Sequence, residues 1–254
     1  MTSRVNAIER DRFEREGYLV IPGVFDDSAI ARFLDRWTGL LNRNEKTDPQ
    51  PTAGTILSGA AGGVYGVRNV LTIWPDVIPL SFQSALGTIV CEILGSEARV
   101  VRGLLFDKPP GQSWALPMHR DLTIAVKKHG PIGVFSKPTI KAGVPHVEAP
   151  AELLDRMVTV RIHLDDMTDE NGPLKLIPGT HRGGDSGETV TILGRAGDVL
   201  LMRPRILHGS GQSAIGTDRH RRIIHLECAP SADLPDGYEW FDSRPIGSSA
   251  ESMD

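Results

Sequence analysis

The 254-residue chain has little cysteine, no long apolar run and no excess of basic charge, and each lack excludes something. Its two cysteines, Cys91 and Cys228, lie far apart in apolar stretches. They make neither a disulfide framework nor the close spacing of a metal or redox pair. They read as buried free thiols, in keeping with a reducing cytoplasm. No apolar run nears the ~20 residues that span a bilayer, and the opening "MTSRVNAIERDRFEREG" is too charged for a signal peptide. A net charge of −4 and a pI near 6.1 argue against a nucleic-acid footprint or a basic membrane patch. The expectation is a cytoplasmic protein with no nucleic-acid and no membrane partner. Internal repeats are missing, as is any serine in a nucleophile elbow. "GSGQSAIG" lacks the glycine spacing of a phosphate loop, and a strand follows it where a helix N-terminus would be needed.

What is present suits one domain, residues 1–254, with an apolar share of 40% for its core. Residues 1–95 read as mainly helical support. "NAIERDRFEREGYLVIPGVF" predicts a short helix, a stop at Gly17 and a strand from Tyr18 to Ile21. "DDSAIARFLDRWTGLLNRN" predicts an amphipathic helix with Ile30, Phe33, Leu34, Trp37 and Leu41 on one face, capped by Asp27 or Ser28. A Pro/Gly/Ser-rich loop from Asn44 to Gly63 follows, and "SFQSALGTIVCEILG" predicts a further helix stopped at Gly95.

Residues 96–228 have another texture. "ARVVRGLLFDK", "MVTVRIHLDD", "LKLIPG", "TVTILGR", "DVLLMRP" and "RRIIHLEC" are short strand-like runs separated by turn signals. Asn171-Gly172 in "DENGPL" predicts a hairpin turn. Such a block suggests a β-sandwich or barrel of jelly-roll type, with the N-terminal helices packed on one sheet. Residues 127–150, interrupted by Gly and Pro, read as an irregular lid or binding loop. Residues 229–254 form a C-terminal tail whose last eight, "GSSAESMD", are expected to be disordered.

Strand alternation sorts the polar residues. Thr159, Arg161, His163 and Asp165 share one face of their strand. Arg221, Ile223, His225 and Glu227 share a face of another, with Arg222 on the opposite side. These faces meet either solvent or a wet cavity; periodicity does not separate the two. In "LPMHRDLTI", Leu116 to Ile124, one predicted strand puts His119 and Asp121 on a common face. Imidazole and carboxylate both accept first-row divalent metals, and His208, ending another apolar strand, supplies a third ligand. Two histidines and one carboxylate make the facial set of non-haem Fe(II) oxygenases. A second His-x-Asp, at His163 and Asp165, lies inside a regular strand and is the next choice. "DRHRR" could place a guanidinium in a cavity, where it would hold a carboxylate through paired hydrogen bonds.

In this order "FEREGYLVIPGVF", "LLFDKPPG", "HRD" with "LTIAVK", "ENGPLKLIPGTHRGG", "GDVLLMRPRILHGSG" and "RRIIHLEC" resemble the phytanoyl-CoA dioxygenase-like Fe(II)/2-oxoglutarate oxygenases. The resemblance implies a double-stranded β-helix core with helices outside, and the cavity reading of the polar faces. It maps His119, Asp121 and His208 onto the iron ligands. It also maps one arginine of "RHRR" onto the residue that holds the distal carboxylate of 2-oxoglutarate. Arg221 is the choice, because it directly precedes the apolar strand; counting from His208 points instead to Arg219. His181 matches a family histidine near the cosubstrate, or else braces a hairpin. Thr159, Arg161 and His163 would line the pocket. Lys108 matches a family lysine, Trp114 walls the site or joins the core, and Arg120 faces away from iron. The implied activity is hydroxylation of an unactivated C–H bond in a small-molecule metabolite, consuming dioxygen and 2-oxoglutarate. Asp121 as a ligand leaves no iron position for a halide. A zinc hydrolase using the same ligands and a non-catalytic jelly-roll binding protein are the competing readings.

Overall fold

The computed structural model describes residues 6–41, 55–58, 64–82, 85–131 and 133–246. The expected tail disorder, Gly247–Asp254, and most of the loop expected from Asn44 to Gly63 lie outside the described residues. In chain order the first half holds α1 (Ala7–Glu16), β1 (Tyr18–Ile21), α2 (Asp27–Leu41), β2 (Ile56–Ser58), β3 (Val64–Val67), α3 (Val70–Ile73), α4 (Val77–Phe82) and α5 (Ala85–Leu94). Then come β4 (Arg99–Phe106), β5 (Leu116–His119), β6 (Thr123–Ala125), β7 (Ser136–Lys141), β8 (Val144–Glu148) and α6 (Ala151–Leu154). The remainder holds β9 (Val158–His163), β10 (Leu174–Ile177), β11 (Val190–Thr191), β12 (Val199–Met202), β13 (Leu207–Ser210), β14 (Ile223–Ala229) and β15 (Arg244–Pro245).

Local chemistry sets the N-terminal elements. Asn6 and Glu9 form a reciprocal capping box on α1. Gly17 ends it in the left-handed region, φ 79°, where a β-carbon would also strike the His181 ring. The cap of α2 is Asp26, whose Oδ1 accepts from the Ala29 N–H at 2.8 Å, one residue before the expected position. Ile30, Phe33 and Trp37 are buried as the spacing predicts. The helix expected from Ser81 to Leu94 divides into the end of α4 and α5.

The large antiparallel sheet runs β1-β12-β9-β14-β4-β3-β2, with β15 beside β4; the smaller one runs β11-β10-β13-β5. Val158, Val160 and Ile162 of β9, Val199 and Leu201 of β12, and Ile224, Leu226 and Cys228 of β14 pack outward against Phe33, Trp37, Trp74, Leu86 and Ile89 of the helical segment. Each fully buried aliphatic chain there contributes ~1.5–3 kcal/mol. The N-terminal helices therefore cover one sheet, as expected. Between the sheets, Leu200 and Met202 of β12 meet Leu174 and Leu176 of β10, which closes one end of the sandwich with apolar packing. The fold is a jelly roll, the double-stranded β-helix.

Two turn expectations need correction. Asn171-Gly172 does not join hairpin partners, because β9 belongs to the large sheet and β10 to the small one. Both edges of β9 are already taken, by β12 and β14, so the chain must cross over. Within residues 127–150 the stretch from Ser136 to Glu148 is regular: β7 and β8 form a hairpin that pairs with β6. Its turn, Ala142-Gly143, has φ of 50° and 75°, the positive pair that a tight hairpin needs. Alanine at its first position hides the turn from sequence.

Candidate functional site

β5 and β13 are antiparallel neighbours with His119 directly opposite His208, their ring centroids 4.4 Å apart. The single strand expected from Leu116 to Ile124 breaks here. β5 ends at His119, and Asp121 is placed by its own N–H, which donates to Pro204 O at 3.0 Å. Arg120 turns outward, as expected, to Asp185 at 2.7 Å and the Arg205 and Gly184 carbonyls. Asp121 thus reaches its neighbours from a loop: Oδ1 lies 3.7 Å from His119 Nε2 and Oδ2 lies 3.6 Å from His208 Nε2.

Both imidazoles are oriented by backbone. His119 Nδ1 donates to Pro117 O at 2.8 Å and His208 Nδ1 to Ile206 O at 2.9 Å. A carbonyl can only accept, so each ring carries a proton on Nδ1 and turns Nε2 toward the carboxylate. Burial pushes His208 down to about 4, keeping it neutral. Burial also pushes the Asp121 carboxyl up, but His208, His225, His119 and Arg102 together outweigh it and hold it below the usual range. The three donors lie within 4.8 Å of one another. Bonds of ~2.1 Å to one metal ion would draw them in by less than ~1 Å. The donor set therefore fits a divalent metal, and iron with open positions in particular. His163 and Asp165 do not rival it. Asp165 is spent on Arg222, with contacts of 2.6 and 2.9 Å to the guanidinium and 2.7 Å to the backbone N–H.

The polar strand faces turn into the interior rather than meeting solvent. Thr159, Arg161, His163, Arg221, His225 and Glu227 are all buried. Arg161 Nε, Arg221 Nε, Thr159 Oγ1, His163 Nδ1 and His225 Nε2 have no hydrogen-bond partner among the described residues. Lys108, continuing the inward face of β4, sits opposite Arg221 through backbone bonds of 3.1 and 3.2 Å. Its ammonium donates to Ser210 Oγ at 3.0 Å and to the Gly172 and Gly211 carbonyls. Burial, then Arg221 and Arg161, push Lys108 down to about 7. Burial likewise lowers Arg161 to about 9, with Arg221 adding to it, and Arg221 to about 10. Three buried cations crowd one space, and unpaired buried charge is costly. An anion is what the space lacks, and a dicarboxylate's distal end fits it.

The "DRHRR" run resolves by alternation. Arg219 faces outward, 3.3 Å from Glu170, so it is not brought to the cavity. His220 pairs with Asp107 at 3.0 Å, Arg221 turns in, and Arg222 turns out to Asp165. His181 is not brought there either: its Nε2 meets Glu14 O at 3.1 Å and its ring packs on Gly17, bracing the corner between α1 and β1. Trp114 is a wall, its ring 4.9 Å from Tyr65 and 5.6 Å from the Lys108 ammonium. Arg102, paired with Glu227 at 2.8 Å across β4 and β14, escaped the sequence reading. Alternation along "RGLLFDK" already puts Arg102 on the face of Lys108. Ser210 was missed too, although it lies two residues beyond His208 on the same strand face.

The phytanoyl-CoA dioxygenase (PhyH) sequence profile matches residues 13–222. The chain belongs to the phytanoyl-CoA dioxygenase family. Curated relatives include an L-proline trans-4-hydroxylase from Streptomyces griseoviridis, 25% identical over 68% of this chain and 54% of that protein. An ectoine dioxygenase from Stutzerimonas stutzeri is 27% identical over 68% of this chain and 49% of its own length. The chain thus spans about half the length of the curated relatives it matches. EctD from S. alaskensis, solved with 2-oxoglutarate and 5-hydroxyectoine, superposes with a TM-score of 0.68 at 21% identity, over 90% of this chain and 77% of that one. That likeness shows a shared fold for this family member. Among the described residues no helix is long and apolar enough to cross a membrane.

Proposed function

We propose that this chain is an Fe(II)- and 2-oxoglutarate-dependent dioxygenase that hydroxylates a small-molecule metabolite, releasing succinate and carbon dioxide. One observation carries this reading: a His119–Asp121–His208 triangle shares an interior with the unpaired guanidinium of Arg221. His119, Asp121 and His208 hold the iron. Arg221, assisted by Lys108 and Ser210, pairs with the distal carboxylate of 2-oxoglutarate, while Arg161 and Thr159 wall the same pocket. When bound, ferrous iron with 2-oxoglutarate and dioxygen supplies the oxidising chemistry. The protein's part is to orient ligands, exclude water and hold the cosubstrate in register. Asp121 keeps a carboxylate where a halide would otherwise bind, which supports hydroxylation over halogenation. The two thiols, free in the structure, support a cytoplasmic setting.

The test is anaerobic. Adding Fe(II) and then 2-oxoglutarate is expected to produce a visible metal-to-ligand charge-transfer band, absent in Asp121→Ala. Metal binding without the band, together with hydrolysis in the absence of oxygen, would make this a zinc-type hydrolase. No divalent-metal binding at all would leave a jelly-roll binding protein.

A further inference from the structure

The lysines of residues 127–150 are not equivalent. Lys127 pairs with Glu239 at 2.6 Å and Lys137 with Glu148 at 2.8 Å, both on the surface. Lys141 behaves differently. It is half-buried, and its ammonium donates to a neutral partner, Thr123 Oγ1, at 2.8 Å, two residues beyond Asp121. Among the described residues no carboxylate lies within ion-pair distance of it, 4.0 Å. Burial and then Arg102 depress its basicity, as does Arg68, while Glu227 and Asp121 oppose them. The Thr123 contact sets the Lys141 ammonium beside β6, the strand that follows Asp121. Arg102 spends one bond on Glu227, whereas Lys141 and Arg68 have no ion-pair partner among the described residues.

The hairpin tip is tied down. Lys141 directly precedes the Ala142-Gly143 turn, and Ala142 O accepts from Asn69 Nδ2 at 3.3 Å. Asn69 adjoins Arg68, so the tether brings the two cations to one side of the site. The cations that bear on Lys141, Arg102 and Arg68, differ from those that bear on Lys108, Arg221 and Arg161.

We infer that the substrate carries an anionic group, a carboxylate or a tetrahedral oxyanion, seated against Lys141 and Arg68 with Arg102 alongside. This names a substrate class for the oxygenase reading and rests on it. A half-buried ammonium bonded only to a hydroxyl has donors to spare, and an oxyanion satisfies them through charge-assisted bonds. With the ferrous ion offsetting Asp121, the net charge facing the substrate is positive.

The Fe(II) protein is first saturated with 2-oxoglutarate under anaerobic conditions, which fills the cosubstrate pocket. If no charge-transfer band forms at this step, the oxygenase reading fails and takes this inference with it. The loaded protein is then titrated by calorimetry with sulfate, acetate and the neutral control acetamide. Sulfate or acetate is expected to bind and acetamide not; whichever anion binds tighter assigns the group. Lys141→Gln and Arg68→Gln are each expected to weaken that anion by roughly tenfold or more, and Lys141→Arg to preserve it. Thermal unfolding at the wild-type temperature shows that the variants are folded. Absence of anion binding to the wild-type protein, equal binding of acetamide, or unchanged binding in Lys141→Gln would each overturn the inference with the band intact.

Discussion

Single side chains decide whether this interior can hold a metal and a diacid. Asp121→Ala removes the only anionic member of the triangle and is expected to abolish substrate-dependent succinate formation; full activity in that variant would move the metal elsewhere. With Arg221 as the proposed partner of the distal carboxylate, Arg221→Met is expected to raise the KM for 2-oxoglutarate by roughly 100-fold, the ~3 kcal/mol of a charge-assisted bond. Arg219→Ala, on the outside, is expected to stay within about twofold. Lys108 adds a pH dependence. Its charged form attracts the dicarboxylate, and its proton leaves near pH 7 in the empty pocket. Affinity for 2-oxoglutarate should therefore fall as pH rises from 7 to 9, and Lys108→Arg, charged throughout, should flatten that profile.

Among the elements, tight connections set the geometry. Gly17 lets α1 end and β1 begin in one step, with His181 filling the space beneath. Gly17→Ala places a β-carbon 2.3 Å from His181 Nδ1 at a positive φ, and is expected to lower stability by at least ~1–2 kcal/mol in denaturant titration. The Ala142-Gly143 turn offers the reverse case. Ala142→Asn suits a φ of 50° better than alanine and is expected to raise the melting temperature by a degree or more. The break at Arg120 matters most for function. A strand continuing through Asp121 would keep it on the face of His119 but ~7 Å further along the strand, whereas the loop returns the carboxylate to within 3.7 Å of both imidazoles.

Taken as a whole, the molecule is a sandwich with one apolar end and one end crowded with buried titratable groups. This makes the metal-free protein acid-sensitive. Burial pushes His163 down to about 3 and His208 to about 4, below the ~6.5 of an unfolded histidine. Above pH 6.5 both are neutral in either state. As pH falls below 6.5 only the unfolded chain takes up protons, so stability drops on the order of 1.4 kcal/mol per pH unit for each until the folded values are reached. The depressed carboxyls of Asp121 and Glu227 act in the same sense at lower pH. The urea midpoint of the apo protein is expected to be clearly lower at pH 5 than at pH 7, and an equal midpoint would contradict the buried-neutral assignment.

Short-range chemistry was legible along the chain. The stop at Gly17, the strand from Tyr18 to Ile21, the buried stripe of α2 and the division of β9 and β14 into polar and apolar faces follow from caps, turn preferences and side-chain period, each within a few residues. The convergence of His119, Asp121 and His208 was legible as well, because a histidine and an aspartate two residues apart and a histidine ending a distant apolar strand are a facial ligand set by residue type. Tertiary structure decided the rest. Asn171-Gly172 became a crossover because both edges of β9 were occupied, and the hairpin from Ser136 to Glu148 formed around an alanine that carries no turn signal. Arg221 rather than Arg219 entered the cavity because Arg221 keeps the inward phase of β14, while Arg219 lies in an exposed loop. Pairing partners and the interior face depend on where distant apolar surfaces must be buried together, a long-range requirement that no local pattern encodes.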